Sequence, residues 1–302
     1  MKQIDNYPSL AIIIASYKEL KISRAIEAIL KQNIKFPFRI VVSAPDEETQ
    51  QIVNTYAKKD NRVSLFKDPG KGKSFALNLL LPTITENILI LTDGDVYLDN
   101  GAINSLAHLF ENEKIGCATG RPVPEESRNS KYGYWANFLF DEAHKMRIHA
   151  FKERRFMECS GYLFAFRNNV INSFPLDTAE DTIIPYFFWE KGYKIGYVPD
   201  ARIFVKNVDN WTDWIKQKVR TSKAHESLYK YIDIKKTPRE KTFLNEAKGF
   251  LNLFRYSKTL HEGIWSTELL FARLYMWMKV FWEFKIKKEM HIDRWERIKS
   301  TK

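Results

Sequence analysis

Apolar and polar positions alternate between two rhythms along the first third of the chain. Residues 10–14, Leu-Ala-Ile-Ile-Ile, are continuously apolar and rich in β-branched side chains, the pattern of a strand covered on both faces. Next, Ile22, Ala25, Ile26, Ile29 and Leu30 recur at spacings of three and four, which places them on one side of a helix. The exchange then repeats: strands are predicted over 38–42, 63–66 and 88–91, and helices over 47–58 and 74–81. This alternation implies βαβ crossovers and therefore an α/β fold, a mostly parallel sheet with helices on both faces. In such sheets ligands bind at the carboxyl ends of the strands. Past Gly120 the pattern loosens over 121–128, then a long helix is predicted through Trp135, Phe138, Leu139 and His144. A strand over 162–166 follows the small residues Ser160 and Gly161. A helix opened by Ala179-Glu180-Asp181-Thr182 runs to Lys191-Gly192, and a strand returns over 194–198.

The 302 residues suffice for a full core, and the composition is that of a globular chain. Charge changes the picture. Of the net +11, Lys and Arg exceed Asp and Glu by 1 over residues 1–205 and by 10 over 206–302. Such asymmetry fits a basic appendage meeting an anionic surface, either phospholipid or nucleic acid. The expected division is a catalytic-type domain over 1–230 and a basic, aromatic-rich helical tail over 231–302. At about 100° per residue, Leu270, Phe271, Leu274, Trp277, Met278, Phe281, Trp282 and Phe284 share one half of a helix, with Glu268, Arg273, Lys279 and Glu283 on the remainder. Flanked by Lys285, Lys287 and Lys288, this apolar face suits a helix lying in a membrane interface, or equally one docked on the preceding domain. Phe243, Leu244, Phe250, Leu251 and Phe254 predict a second helix of similar character. Cys117 and Cys159 are too few for a disulfide framework and lack a metal-binding spacing. No secretory signal is visible, nor any uncharged apolar run of about 18 residues. The setting expected is cytoplasmic and reducing, peripheral at the cytoplasmic face of the membrane.

Candidate chemistry begins where residues 88–91 deliver Asp93-Gly94-Asp95 to a strand end. Two carboxylates separated by glycine can hold Mg²⁺ or Mn²⁺ over a diphosphate, although Asp and Gly also build ordinary turns. Gly70-Lys71-Gly72-Lys73-Ser74 tempts a Walker reading, but that loop needs a glycine at position 67, which is Lys67. A glycine-rich, basic helix start can still face phosphate through its amides and Lys73. Glu180-Asp181 falls in a first helical turn, where acids suit the helix dipole whether or not they do chemistry.

Taken in order, these segments resemble glycosyltransferase family 2, nucleotide-diphospho-sugar enzymes with the GT-A fold, over roughly residues 8–225. Ala15-Ser16-Tyr17-Lys18-Glu19 is similar to the family's Pro-x-Tyr-Asn-Glu loop beside the nucleotide, which implicates Ala15, Tyr17 and Glu19 in donor binding. Ser43-Ala44-Pro45-Asp46 stands where the family has Asp-Asp-Gly-Ser, so Ser43 replaces the base-contacting acid and Asp46 is the partial substitute. Gly70 to Asn78 resembles the family's Gly-Lys…Ala-Leu-Asn segment, with Lys73 toward the phosphates. The resemblance implies Asp93 and Asp95 as metal ligands, Asp93 near the ribose as well, and Asp181 as general base. Gln217-Lys218-Val219-Arg220 matches the first part of the Gln-x-x-Arg-Trp element of cellulose- and hyaluronan-synthase-like members, so Gln217 and Arg220 would secure the diphosphate or acceptor. Thr221 replaces the tryptophan. His225 is a candidate third metal ligand, against the plainer reading of a surface histidine on a basic helix.

The expected protein is thus an inverting, metal-dependent transferase, using Mn²⁺ or Mg²⁺ and a UDP- or GDP-sugar. Its expected partners are a lipid-linked or saccharide acceptor and an anionic membrane surface, with no nucleic acid. A sugar nucleotidyltransferase and a basic nucleic-acid-binding protein are the rival readings.

Overall fold

The computed structural model describes residues 7–237 and 239–288, without the side chains of Leu244, Lys248, Phe250 and Leu251. Expectations for those four side chains, for residues 1–6 and for the basic segment 289–302 lie outside the described part. In chain order the elements are β1 (Leu10–Ala15), α1 (Ile22–Leu30), β2 (Phe38–Ala44), α2 (Glu47–Ala57), β3 (Val63–Lys67), α3 (Lys73–Leu80), β4 (Ile88–Asp93), β5 (Val96–Leu98), α4 (Ala102–His108), β6 (Ile115–Pro124), α5 (Lys131–Lys152), β7 (Leu163–Arg167), α6 (Glu180–Glu190), β8 (Lys194–Val205), α7 (Trp211–Glu226), α8 (Phe243–Tyr256) and α9 (Leu260–Phe281). The strands form one sheet in the order β3-β2-β1-β4-β7-β6-β8-β5. β3, β2, β1 and β4 run parallel, β7 is antiparallel to both its neighbours, and β5 is antiparallel to β8.

Period-two alternation makes the interior strands two-sided. Leu10, Ile12 and Ile14 of β1 enter one core with Ile22, Ile26 and Ile29 of α1, while Ala11 and Ile13 enter the other with Leu77 and Leu80 of α3. Every residue of β1 is buried, which is why the segment reads as an unbroken apolar run. Each fully buried isoleucine contributes about 1.5–3 kcal/mol.

Two strands were not expected from the sequence. β5 spans Val96–Leu98 only, too short to show a pattern. β6 carries Gly116, Gly120, Pro122 and Pro124, so it reads as loop, yet its glycines are imposed by packing. A Cβ at Gly116 would lie 2.4 Å from the Phe188 ring, and one at Gly120 2.4 Å from the Ala201 carbonyl oxygen. Strand β8 also runs on to Val205, beyond the expected end at 198.

The tail is docked. Leu253 of α8 and Leu269, Ala272, Met276 and Val280 of α9 share a cluster with Tyr134, Trp135 and Phe138 of α5 and Trp214, Ile215 and Val219 of α7. The expected stripe divides, with Leu270 and Trp277 packed against this cluster. Phe271, Met278, Phe281 and Trp282, members of the predicted apolar stripe, are more than half exposed, whereas Arg273, expected on the polar side, is buried. α9 therefore has two apolar faces, one against the domain and one outward.

Candidate active site

The pairing register brings three strand ends level: Ala15 of β1 sits opposite Ser43 of β2 on one side and Asp93 of β4 on the other. Beyond them opens a cavity of about 890 Å³ that runs from Ala15, Tyr17, Glu19 and Lys73, past Asp93 and Asp95, to Gln217, Arg220 and the tail residues Asn245, Glu246 and Arg273.

The Asp93-Gly94-Asp95 turn is fixed on β1. Gly94 N donates to the Ala15 carbonyl at 2.9 Å, and a Cβ at Gly94 would stand 2.5 Å from Ser16 Oγ and 2.9 Å from Ile22 Cδ1. Glycine here is a steric necessity. Lys73, at the start of α3, places Nζ 2.7 Å from Asp93 Oδ1 and 2.7 Å from Glu180 Oε1. Burial works against its charge, but the two carboxylates hold its pKa well above the ordinary lysine value. Burial pushes Asp93 upward, opposed by Lys73. The Lys73 ammonium group thus bridges Asp93 and Glu180 at this end of the cavity. Among the described residues no three His, Cys, Asp or Glu side chains are grouped to hold a metal ion. Asp93 and Asp95 fit Mn²⁺ or Mg²⁺ as the protein's share of a shell that substrate phosphates complete, the usual arrangement for these ions.

Asp181 lines the same cavity from the first turn of α6. Burial, then the adjacent Glu180 charge, raises its carboxyl to about 6, against the pull of Lys73 and His225. Gly161 makes room for it: a Cβ there would stand 2.7 Å from Asp181 Oδ2.

His225 is buried rather than on the surface. Its Nδ1 lies 2.8 Å from the Thr221 carbonyl oxygen and its Nε2 2.8 Å from Glu158 Oε2. A carbonyl only accepts, so Nδ1 carries a proton. Glu158 is pushed up by burial, but His225 and Tyr186 pull it below the ordinary carboxylate value, and Tyr186 Oη donates to its Oε1 at 3.0 Å. With both nitrogens engaged, His225 as arranged here serves Glu158 rather than the Asp93–Asp95 pair.

The second loop also departs from expectation. Asp46 caps α2, accepting from Thr49 N at 2.9 Å and Thr49 Oγ1 at 2.8 Å, and its other oxygen accepts from Lys18 N at 2.7 Å. It holds the Tyr17-Lys18-Glu19 loop, in which Lys18 adopts a left-handed φ of 50°, instead of lining the cavity. Ser43 is buried, with its Oγ 3.4 Å from Asp68 Oδ2. Gln217 and Arg220 both line the cavity, and the Arg220 charge bears on Asp93 and on the half-buried Tyr162. Thr221 Oγ1 donates to Gln217 O at 2.9 Å, while Trp211 and Trp214 stack 6.0 Å apart outside the cavity. Sequence reasoning missed Glu158, Tyr162, Lys218, Lys241 and Arg273. Only Tyr162 had a signal, its place beside Ser160-Gly161 at a strand start.

The profile described as "Glycosyltransferase like family 2" matches residues 8–224. The chain belongs to glycosyltransferase family 2. It is 24% identical over 217 residues to an O-antigen chain rhamnosyltransferase of Salmonella typhimurium, covering 67% of each chain. It is 22% identical over 244 residues to an N-acetylglucosaminyltransferase of a Rhizobium species, covering 73% of this chain and 53% of the relative, so it spans about half of that protein. In fold it is similar to a mannosyltransferase of Pyrobaculum calidifontis solved with GDP-Man and Mn²⁺, with a TM-score of 0.63 and 15% identity over 94% of this chain and 89% of that one. GalNAc-T7 solved with UDP, GalNAc and Mn²⁺ gives 0.51 and 14% over 94% and 59%. The fold of this family 2 glycosyltransferase is thus GT-A, and its described helices include none long and apolar enough to cross a membrane.

Proposed function

We propose that this glycosyltransferase inverts the anomeric centre while moving one sugar from a UDP- or GDP-sugar to a hydroxyl on a membrane-borne saccharide acceptor. The observation that carries the proposal is a carboxylate of raised basicity, Asp181, in one cavity with the Asp93-Gly94-Asp95 turn. In this reading the acceptor oxygen attacks the anomeric carbon from the face opposite the diphosphate, and Asp181 takes its proton. The bond from that carbon to the diphosphate oxygen breaks as the new glycosidic bond forms. A carboxyl near pH 6 is ionised at neutral pH yet a stronger base than an ordinary aspartate. Asp93 and Asp95 would hold Mn²⁺ or Mg²⁺, which supplies charge stabilisation to the leaving diphosphate. Arg220 and Gln217 would grip that diphosphate, while Ala15, Tyr17 and Glu19 line the nucleotide end. Proton NMR of sugar released from the donor with Mn²⁺ tests the stereochemistry: the first-formed anomer is expected to be inverted, and a retained anomer would contradict it.

The membrane part rests on the outward face of α9, where Phe271, Met278, Phe281, Trp282 and Ile286 are exposed beside Lys285, Lys287 and Lys288. Aromatic and basic side chains together suit an anionic interface. The protein is expected to float with phosphatidylglycerol liposomes and not with neutral ones; equal recovery from both would remove the charge-based account.

A further inference from the structure

The cavity wall built by α7, α8 and α9 carries more positive charge than it balances. Lys218 reaches the cavity from α7, Lys241 from the segment before α8 and Arg273 from α9. Arg273 Nε donates to Glu246 Oε2 at 3.0 Å, and the same oxygen accepts from Trp277 Nε1 at 2.9 Å. Among the described residues neither Lys218 nor Lys241 has an ion-pair partner. Burial, with the nearby Arg273 guanidinium, pushes Lys218 down to about 7 and Lys241 to about 8. Lys218 and Lys241 are half-buried, and carboxylates near them, Glu246 for both and Glu158 and Asp181 for Lys241, offset their charge without pairing with them. The cluster also has a definite side. Lys241 feels Glu158 and Asp181, whereas Arg220 bears on Asp93. Lys241 is thus the member of the cluster that reaches toward the base, and Lys218 and Arg273 share the cavity with it.

We propose that Lys218, Lys241 and Arg273 form a subsite for a phosphate-type anion borne by the acceptor, seating its charged end while its hydroxyl reaches Asp181. This rests on the glycosyl-transfer reading above. The guanidinium offers a fixed fork and the two ammonium groups mobile point charges, a combination suited to phosphate oxygens. The diphosphate of a prenyl-linked saccharide and free inorganic phosphate share this chemistry, and the position beside the base assigns the subsite to the former.

The test is calorimetry on the full chain, saturated with Mn²⁺ and UDP or GDP so that the Asp93 end is filled, titrated with farnesyl diphosphate and separately with inorganic pyrophosphate. Farnesyl diphosphate is expected to bind, more tightly than pyrophosphate. A Lys218→Gln/Lys241→Gln variant is expected to weaken it at least about tenfold, and Lys218→Arg/Lys241→Arg to retain it, which separates lost charge from lost folding. Absence of binding to the unaltered chain, undiminished binding to the Gln variant, or binding of pyrophosphate alone would overturn the subsite. Failure of the unaltered chain to take up Mn²⁺ with either nucleotide strikes instead at the glycosyl-transfer reading.

Discussion

The two ends of the cavity treat charge in opposite ways. At the Asp93 end, Lys73 is clasped by Asp93 and Glu180, so carboxylates outnumber the cation they hold. At the Arg273 end, Glu246 answers for Arg273 while Lys218 and Lys241 stand beside it. In the proposed reading the first end would hold a metal cation and the second would receive an anion. Asp181 lies between them, its basicity raised by burial and by Glu180. A transferase that must hold a metal-bound leaving group and an acceptor on opposite sides of one reacting carbon needs that polarity.

Removing the group between the ends is the severest way to break the comparison. Asp181→Asn is expected to lower kcat for transfer by about 10²–10⁴ while leaving Mn²⁺–nucleotide affinity intact. In the unaltered enzyme, protonation of Asp181 silences the base, so kcat/KM should fall about tenfold per unit as pH drops below its pKa. That acid limb, near pH 6, should be absent from the residual activity of the variant; an unchanged limb would assign it to another group. A smaller change moves the base without deleting it. Gly161→Ala puts a methyl group 2.7 Å from Asp181 Oδ2, and the displacement is expected to cost about 10² in kcat with little change in melting temperature. Wild-type turnover by this variant would show that the carboxylate position is not critical.

The same contrast governs how much the sequence discloses. The Asp93 end is assembled from the ends of β1 and β4 and the first turns of α3 and α6, elements whose patterns the sequence shows. The pattern located the strands and the Asp93-Gly94-Asp95 turn because buried parallel strands leave little choice of side chain, and the family resemblance supplied the rest. Asp46 misled, since a carboxylate at a loop can cap a helix as readily as contact a ligand, and here it does the former. The Arg273 end was illegible. Its three cations come from elements far apart in sequence, and no local pattern distinguishes a cavity-lining lysine from a solvated one. In α9 apolar residues occupy more than one face, so periodicity picked Phe271 and Met278 while packing chose Leu269, Ala272 and Met276. Strand β6 was missed because its glycines answer to Phe188 and Ala201, neighbours that only the fold supplies.

The most direct test of the central claim is calorimetric titration of the full chain with UDP and with GDP, each with and without Mn²⁺, repeated on Asp93→Asn. The account predicts that one nucleotide binds only when Mn²⁺ is present and that the substitution abolishes this metal-dependent binding. Equal affinity with and without the metal, or undiminished Mn²⁺-dependent binding to Asp93→Asn, would contradict it.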